Sequence, residues 1–369
     1  MKRLHLLCLL VGALCWGALS AQTISQPASG GNYEKSISHR IGVTTVAIRW
    51  NAPGVKGREG KIWGTPVAHY GFQNLGFGSS QAAPWRAGAN ENTTIHFSTD
   101  VLVQGKPLAA GTYGFFIALY PDSCTLIFSK NNNAWGSFFY DPTADALRLN
   151  LRQQKNMPSA REWLQYDIGN PTPNSAEISM EWERWRIAFN VSVDVQKTTV
   201  DAMRRDLTSN IGFADENWIT AANFCLTENY NLEEGLAWAG QAMNFNPNFF
   251  NANIKAQLEE KLGKKAEAEK TIAAALEHAT VSEIHQYGRQ LVGKKEPAKA
   301  MEIFLLNHKK HGDAWPVHVG LMRGYSATGD LKKALEHGKK ALAQAPDDLN
   351  RSNLENLLKV LSEGKALTQ

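Results

Sequence analysis

Arg58, Arg86 and Glu91 are the charged residues whose types and neighbours best fit chemistry in this chain. The run Trp85-Arg86-Ala87-Gly88-Ala89-Asn90-Glu91 sets an aromatic, both charge signs, a glycine and an amide together, just ahead of apolar β segments. A guanidinium presents planar, paired donors. Arg58 and Arg86, beside Trp85 and Asn90, are therefore a candidate fork for a carboxylate, a phosphate or a sugar hydroxyl. The same residues also read as a charged turn that fastens a sheet. In that reading one arginine pairs with Glu91, Gly88 supplies a positive φ and Asn90 caps the turn. Both readings stay open, and the candidate ligand-binding set is Arg58, Trp85, Arg86, Asn90 and Glu91.

Other chemistry finds less support. His39, His69 and His96 lack metal-ligand spacing, and no metal or cofactor is expected. His308 and His311 stand at i, i+3, but Lys309 and Lys310 between them would repel a cation, so a solvated helix end is expected. There is no Gly-x-Ser-x-Gly elbow, HExxH helix or P-loop. Gly76–Gln81 has half of a dinucleotide fingerprint and lacks the third glycine. Asp100, Asp122, Asp141 and Asp145 fall in turns, where aspartate bonds locally. Nothing selects two of them as a glycosidase pair.

The elements that must position these residues divide into two grammars. At 369 residues, with 43% hydrophobic and 20% charged, the chain is sized for two globular modules. A net charge of +4, spread along the chain, does not make a nucleic-acid face. Lys2 and Arg3, the apolar Leu4–Leu14 run and Ala18-Leu19-Ser20-Ala21 read as a signal peptide over residues 1–21. The mature chain is then exported, periplasmic or secreted, with no integral membrane segment. Cys8 and Cys15 leave with that signal. Cys124 and Cys225 fall in different modules and are expected as small buried hydrophobes.

Residues 22–197 read as β. Val43–Trp50 is rich in β-branched residues with near alternation, and Thr93–Phe97, Val101–Val103, Thr112–Tyr120 and Cys124–Lys130 continue the pattern. Trp135–Tyr140, Ala146–Gln153, Arg161–Ile168, Glu177–Trp185 and Arg186–Val195 complete about ten expected strands. Gly71–Pro84 has no period and reads as a surface loop. Trp182 and Trp185 differ in parity, which would send them to opposite faces of a strand.

From Thr198 the period turns helical, with a linker helix at 198–209 and repeats over 210–369. Gly235, Ala268, Ala300 and Ala334 step by 33, 32 and 34 residues. That spacing, and the last unit Ala327–Asp348 in particular, resembles the tetratricopeptide repeat. Residues 210–361 then hold four helix pairs, with little room for a separate cap. Lysine pairs at 264–265, 294–295, 309–310, 332–333 and 339–340 form either a solubilising rim or a basic edge for an acidic peptide or anionic glycan. Tyr230, Phe245, Phe249, Tyr287, Trp315 and Tyr325 are mostly inter-helix packing, with one or two on the concave surface.

Four motifs carry a family resemblance: Val55-Lys56-Gly57-Arg58, Trp85–Glu91, Ala110-Gly111-Thr112-Tyr113 and Met180-Glu181-Trp182-Glu183. In order and spacing they resemble a bacterial family catalogued as domain of unknown function 2911, over roughly residues 26–194. The resemblance implies an exported protein of Bacteroidetes-type bacteria, sometimes with tetratricopeptide repeats behind the β module. It implies no activity, so no catalytic residue is carried over. Gly71–Pro84 is longer than the family's link, and Leu119-Tyr120-Pro121 replaces an Ile-Pro ending.

The expected fold is an all-β module, a β-sandwich or barrel-like, followed by an all-α helical-repeat module. The expected function is an exported binding or scaffold protein. Its β module would take a small polar or glycan-like ligand and its repeats a protein partner. One alternative is a periplasmic hydrolase of glycan or peptide, with Glu91 or a turn aspartate as acid or base. Another is a β spacer in which only the repeats function.

Overall fold

The computed structural model describes residues 31–79 and 81–367. The proposed signal segment, with Cys8 and Cys15, lies outside the described residues. The described chain divides into two compact units at Thr198.

In the first unit, β1 (Tyr33–Ile41), β2 (Thr44–Ala52), β5 (Ala89–Phe97), β8 (Gly111–Leu119), β9 (Cys124–Ser129) and β10 (Asp145–Leu151) form one antiparallel sheet. Its order is β1-β2-β5-β8-β9-β10. The second sheet runs β11 (Arg161–Gly169), β12 (Ser175–Glu183), β13 (Trp185–Ser192), β6 (Val101–Val103), β7 (Lys106–Leu108). Both sheets have open edges, so the module is a sandwich and not a closed barrel.

Alternation explains the layering. On β2, Val46, Ile48 and Trp50 point into the core, where Phe97, Phe115, Phe128, Tyr166 and Phe189 meet them. Trp50 Nε1 donates to the Leu164 carbonyl at 3.1 Å, tying the two sheets at a buried point. β8 is buried on both faces, because β3 (Gln73–Asn74) and β4 (Ala82–Ala83) lead a segment over its back. There Phe116, Ala118 and Ile127 pack with Ala83, Tyr140, Phe72 and Leu75. The stretch 71–84, expected as a surface loop, thus covers a second small core.

Three further expectations change. β1 precedes the first strand read from sequence; it is an edge strand whose alternate residues are exposed, so its apolar signal is weak. Residues 135–140 form turns and no strand. Trp182 and Trp185 are register partners across the two-residue turn Glu183-Arg184, with Glu183 at φ 51°. A hairpin, unlike a single strand, returns such a pair to the same face.

The second unit is helical. The helix α1 (Val195–Leu207) stands where the linker helix was expected. Four antiparallel pairs follow: α2 (Asp215–Glu228) with α3 (Leu232–Phe245), and α4 (Phe249–Lys261) with α5 (Lys265–Leu276). Next come α6 (Val281–Gly293) with α7 (Pro297–His311), and α8 (Trp315–Ala327) with α9 (Leu331–Ala343). A single α10 (Asp348–Ser362) buries Leu354 and Leu361 beside Ala334 and Ala341. The four expected pairs are therefore complete by Ala343, and the tenth helix is a cap that the sequence reading did not allow for.

The repeating small residues permit close helix approach. A Cβ on Gly235 would stand 2.6 Å from Cys225 Cβ. The ring of Phe304 on α7 is gripped by the backbones of Gly288, Gly320 and Gly324, where a Cβ would approach to 2.4, 2.6 and 2.8 Å. Side-chain caps start several helices: Asn248 on α4, Asp330 on α9, and a full Thr280–Glu283 capping box on α6. Cys124 and Cys225 are free and buried, and burial raises their thiols to about 12 and about 11. None of the described helices is long and apolar enough to cross a membrane.

Candidate binding surfaces

The five sequence candidates do not gather into one fork. Trp85 is 3% exposed. Its ring lies 6.2 Å from Trp182, stacked, and 5.9 Å from Trp63, edge-on, while Trp63 stacks on Trp185 at 4.4 Å. Trp85 therefore packs against other tryptophans inside the module. Arg58 turns back on its own loop, donating from Nε to the Val55 carbonyl at 3.0 Å and from Nη2 to Gly54 at 2.7 Å.

Arg86, Asn90 and Glu91 do share one network. Arg86 Nη1 donates to the Asn90 carbonyl at 3.1 Å, and its guanidinium lies 5.1 Å from the centre of the Phe138 ring. Asn32 Nδ2 donates to Asn90 Oδ1 at 3.1 Å, and Asn51 Nδ2 donates to Glu91 Oε2 at 2.7 Å. The expected arginine–Glu91 pair is absent among the described residues. Arg86 has no carboxylate partner there, and burial pushes its guanidinium below its usual pKa.

The turn is also built differently from expectation. Left-handed backbone falls at Ala87 (φ 51°) and Asn90 (φ 55°), not at Gly88. Gly88 serves close approach, since a Cβ there would meet Thr93 Oγ1 at 2.7 Å. The strained Ala87 is held by its carbonyl, which accepts from Tyr166 Oη at 2.9 Å and Thr93 Oγ1 at 3.1 Å in the core.

Buried polar atoms without partners include His69 Nδ1, Asn92 Oδ1 and Ser137 Oγ, none of them read as ligand-binding from the sequence. Burial holds the His69 ring below its ordinary pKa, and the Arg86 charge adds to this. Ser137 stands between Gly136 and Phe138, both of which flank the Arg86 guanidinium. Polar type alone gives no signal for these atoms, and Ser137 sits in residues 135–140, turns where the sequence pattern points to a strand.

Several clefts are lined by described residues of the helical unit. One, of about 770 Å³, runs along α3, α4 and α5, with Gly240, Gln241, Asn244, Asn248, Thr271 and His278 on its walls. One wall is fixed by a polar triad: Lys255 Nζ reaches Glu259 at 2.5 Å and Thr271 at 3.2 Å, and Thr271 donates to Glu259 at 2.9 Å. A second cleft of about 600 Å³ lies mainly between α5 and α7, with Glu269, Tyr287, Glu296 and Lys299 among its lining. The third, about 350 Å³, lies between α6 and α8.

In four of the five lysine pairs one member is engaged. Lys294 pairs with Glu260, Lys333 with Asp330 and Lys340 with Glu336, and Lys310 donates to the Leu276 and Glu277 carbonyls. His308 is likewise engaged, its Nε2 lying 3.1 Å from Asp313. The aromatics are mostly packing, as with Phe249 and Tyr287 at 5.7 Å, while Phe245 is 48% exposed. The buried His318, whose Nδ1 lies 3.1 Å from that of His337, was not anticipated.

Residues 33–191 match a family model described as "Protein of unknown function (DUF2911)". The β module is similar to that family over this span. The matched span lies inside the 26–194 range that the four motifs outlined, and it is the two-sheet sandwich. No curated protein matches the chain. Among solved structures the chain is similar to YrrB, titled "a TPR protein with an unusual peptide-binding site", at 16% identity and TM-score 0.28, over 45% of this chain and 86% of that one. It is similar to a thermophilic TPR protein of Thermus thermophilus, TTC0263, at 18% and 0.29, over 44% and 90%. The human IFIT1 dimer with PPP-AAAA follows at 17% and 0.28, over 46% and 44%. The repeat character of the helices rests on their pairing and on the 32-to-34-residue steps in the sequence.

Proposed function

We propose that this chain is a binding protein whose helical module holds an extended segment of a partner protein in the 770 Å³ cleft along α3, α4 and α5. One observation carries the reading: the cleft mixes carboxamides (Gln241, Asn244, Asn248) with apolar Met243, Phe249 and Ala274. Carboxamides can both donate to and accept from a peptide main chain, while apolar surface receives side chains. The volume suits a few peptide residues. Tetratricopeptide-like repeats fit the same role.

Gly240 provides the test. A Cβ there would meet nothing within 4 Å, and Gly240 lines the cleft, so a larger side chain at this position starts into open space. Peptides selected from a displayed random library against the full chain should bind Gly240→Phe at least about tenfold more weakly. The variant should melt no lower than the parent. Selected peptides that ignore the substitution, or a library that yields none, would remove the assignment.

A second site is favoured by Arg86, half-buried and without a carboxylate, beside the unpartnered His69 Nδ1. We read it as a position for a small polar or anionic ligand. Screening mono- and dicarboxylates and phosphate by melting shift on wild type and Arg86→Lys tests it; no shift in the wild type counts against it. Export to the periplasm or beyond is part of the same reading and rests on the residue pattern of Met1–Ala21.

A further inference from the structure

On α6, Gln286, Arg289, Gln290 and Gly293 recur at i, i+3, i+4 and i+7, so they share one stripe. All four, with Val292 and with Arg323 from α8, line the 350 Å³ cleft. Two guanidiniums therefore face one space. Neither has a carboxylate partner among the described residues, and Arg323 Nε is buried without an acceptor. Gln290 Oε1 accepts from Asn253 Nδ2 at 3.1 Å, which leaves its own amide nitrogen as a donor. His285, one turn away on α6, is buried with Nδ1 unpartnered. The cleft thus presents an excess of donors with no internal negative charge.

We propose that this cleft is a carboxylate-binding site, formed by Arg289 and Arg323 with Gln286 and Gln290, that takes an acidic residue of a bound peptide. Paired guanidiniums match the planar carboxylate, and the flanking carboxamides match the amides on either side of it. The cleft is far larger than a bare ion needs and falls at the lower end of ordinary organic-ligand pockets. Like charges held together without a counter-ion destabilise the empty protein. Burial and the Arg289 charge hold Arg323 below its usual pKa, and burial, with the two arginines adding to it, does the same to His285. Such an arrangement fits a site that its ligand completes. The proposal deepens the reading of the helical module as a partner-binding one, but it uses a different surface, so the two fail separately.

The test uses the full chain and two fluorescein-labelled probes, octaglutamate and octaglutamine, followed by fluorescence anisotropy. Octaglutamate should bind and octaglutamine should not. Arg289→Gln and Arg323→Gln should each weaken octaglutamate about tenfold or more, against less than about twofold for a Lys332→Gln/Lys339→Gln control of exposed α9 charges. Arg323→Gln should also raise the melting temperature of the unliganded chain, since it removes one of two repelling cations. Arg289 is exposed, so Arg289→Gln keeps the test intact if Arg323→Gln fails to fold. Equal losses in the arginine and lysine variants would reduce the effect to general attraction and overturn the site. So would absent octaglutamate binding, inorganic phosphate that binds more tightly than octaglutamate, or a lowered melting temperature with binding unchanged.

Discussion

Acid should loosen the helical module through His285. Its ring is buried beside Arg289 and Arg323, and burial first, then those charges, hold its pKa at about 4, against 6.5 for the free side chain. The Pro316 carbonyl, which favours the protonated ring, offsets this only in part. Above about pH 6.5 the ring is neutral in both folded and unfolded chains and contributes no pH dependence. As pH falls below that, the unfolded chain takes up the proton first, so stability is lost until the folded ring titrates near 4. At about 1.4 kcal/mol per pKa unit, the cost accumulated by pH 5 is about 2 kcal/mol. For a module of this size that corresponds to about 4–8 °C in melting temperature. The assay is the melting of full-length wild type and His285→Leu, followed by helical circular dichroism at about pH 7 and pH 5. Wild type should lose about 2 kcal/mol more than the variant over that interval. The same drop in both proteins would show that His285 is not held neutral by its surroundings.

Gly288→Ala should destabilise by about 1–3 kcal/mol in urea unfolding, because its Cβ would reach 2.4 Å from the Phe304 ring, whereas Gly240→Ala, in open space, should gain up to about 1 kcal/mol. Tyr166→Phe should cost about 1 kcal/mol, since it strips the buried Ala87 carbonyl of one of two donors; an unchanged unfolding midpoint would mean that Thr93 suffices. Intact-mass measurement of chain expressed in a secreting bacterial host should find Gln22 at the mature terminus, and a chain retaining Met1 would end the export reading.

Where the residue pattern alone could be read, one face of an element meets a core. β2, β8 and β9 carry dense β-branched or aromatic runs, and the small residues at 235, 268, 300 and 334 mark helix pairs because close approach leaves no other choice. β1 escaped because, as an edge strand, it shows Glu34, Ser36 and Ser38 in a run without a continuous apolar face. Trp135–Tyr140 misled for the opposite reason: it is aromatic, yet Phe138 packs on Arg86 and edge-on to Phe77 at a turn. The candidate site was half legible. Side-chain type pointed to Arg86, but whether a guanidinium turns outward or onto its own carbonyls, as Arg58 does, depends on loop geometry that spacing does not encode. The Arg289–Arg323 cleft carries one signal in the sequence, since 34 positions are one repeat step and put the two arginines at equivalent points of successive units, but only the stacked helices show that both line one space.

The three glycines around Phe304 have a bearing on those arginines. Gly288 adjoins Arg289, and Gly324 adjoins Arg323, so the aromatic wedge that α6 and α8 both clasp also sets the gauge between the two cations. A close-packed wedge of this kind resists sliding. The opening is consequently cut to width before any guest arrives, and little ordering free energy has to be spent when one does. Discrimination should then follow the span of the incoming acid rather than a closing movement of the helices.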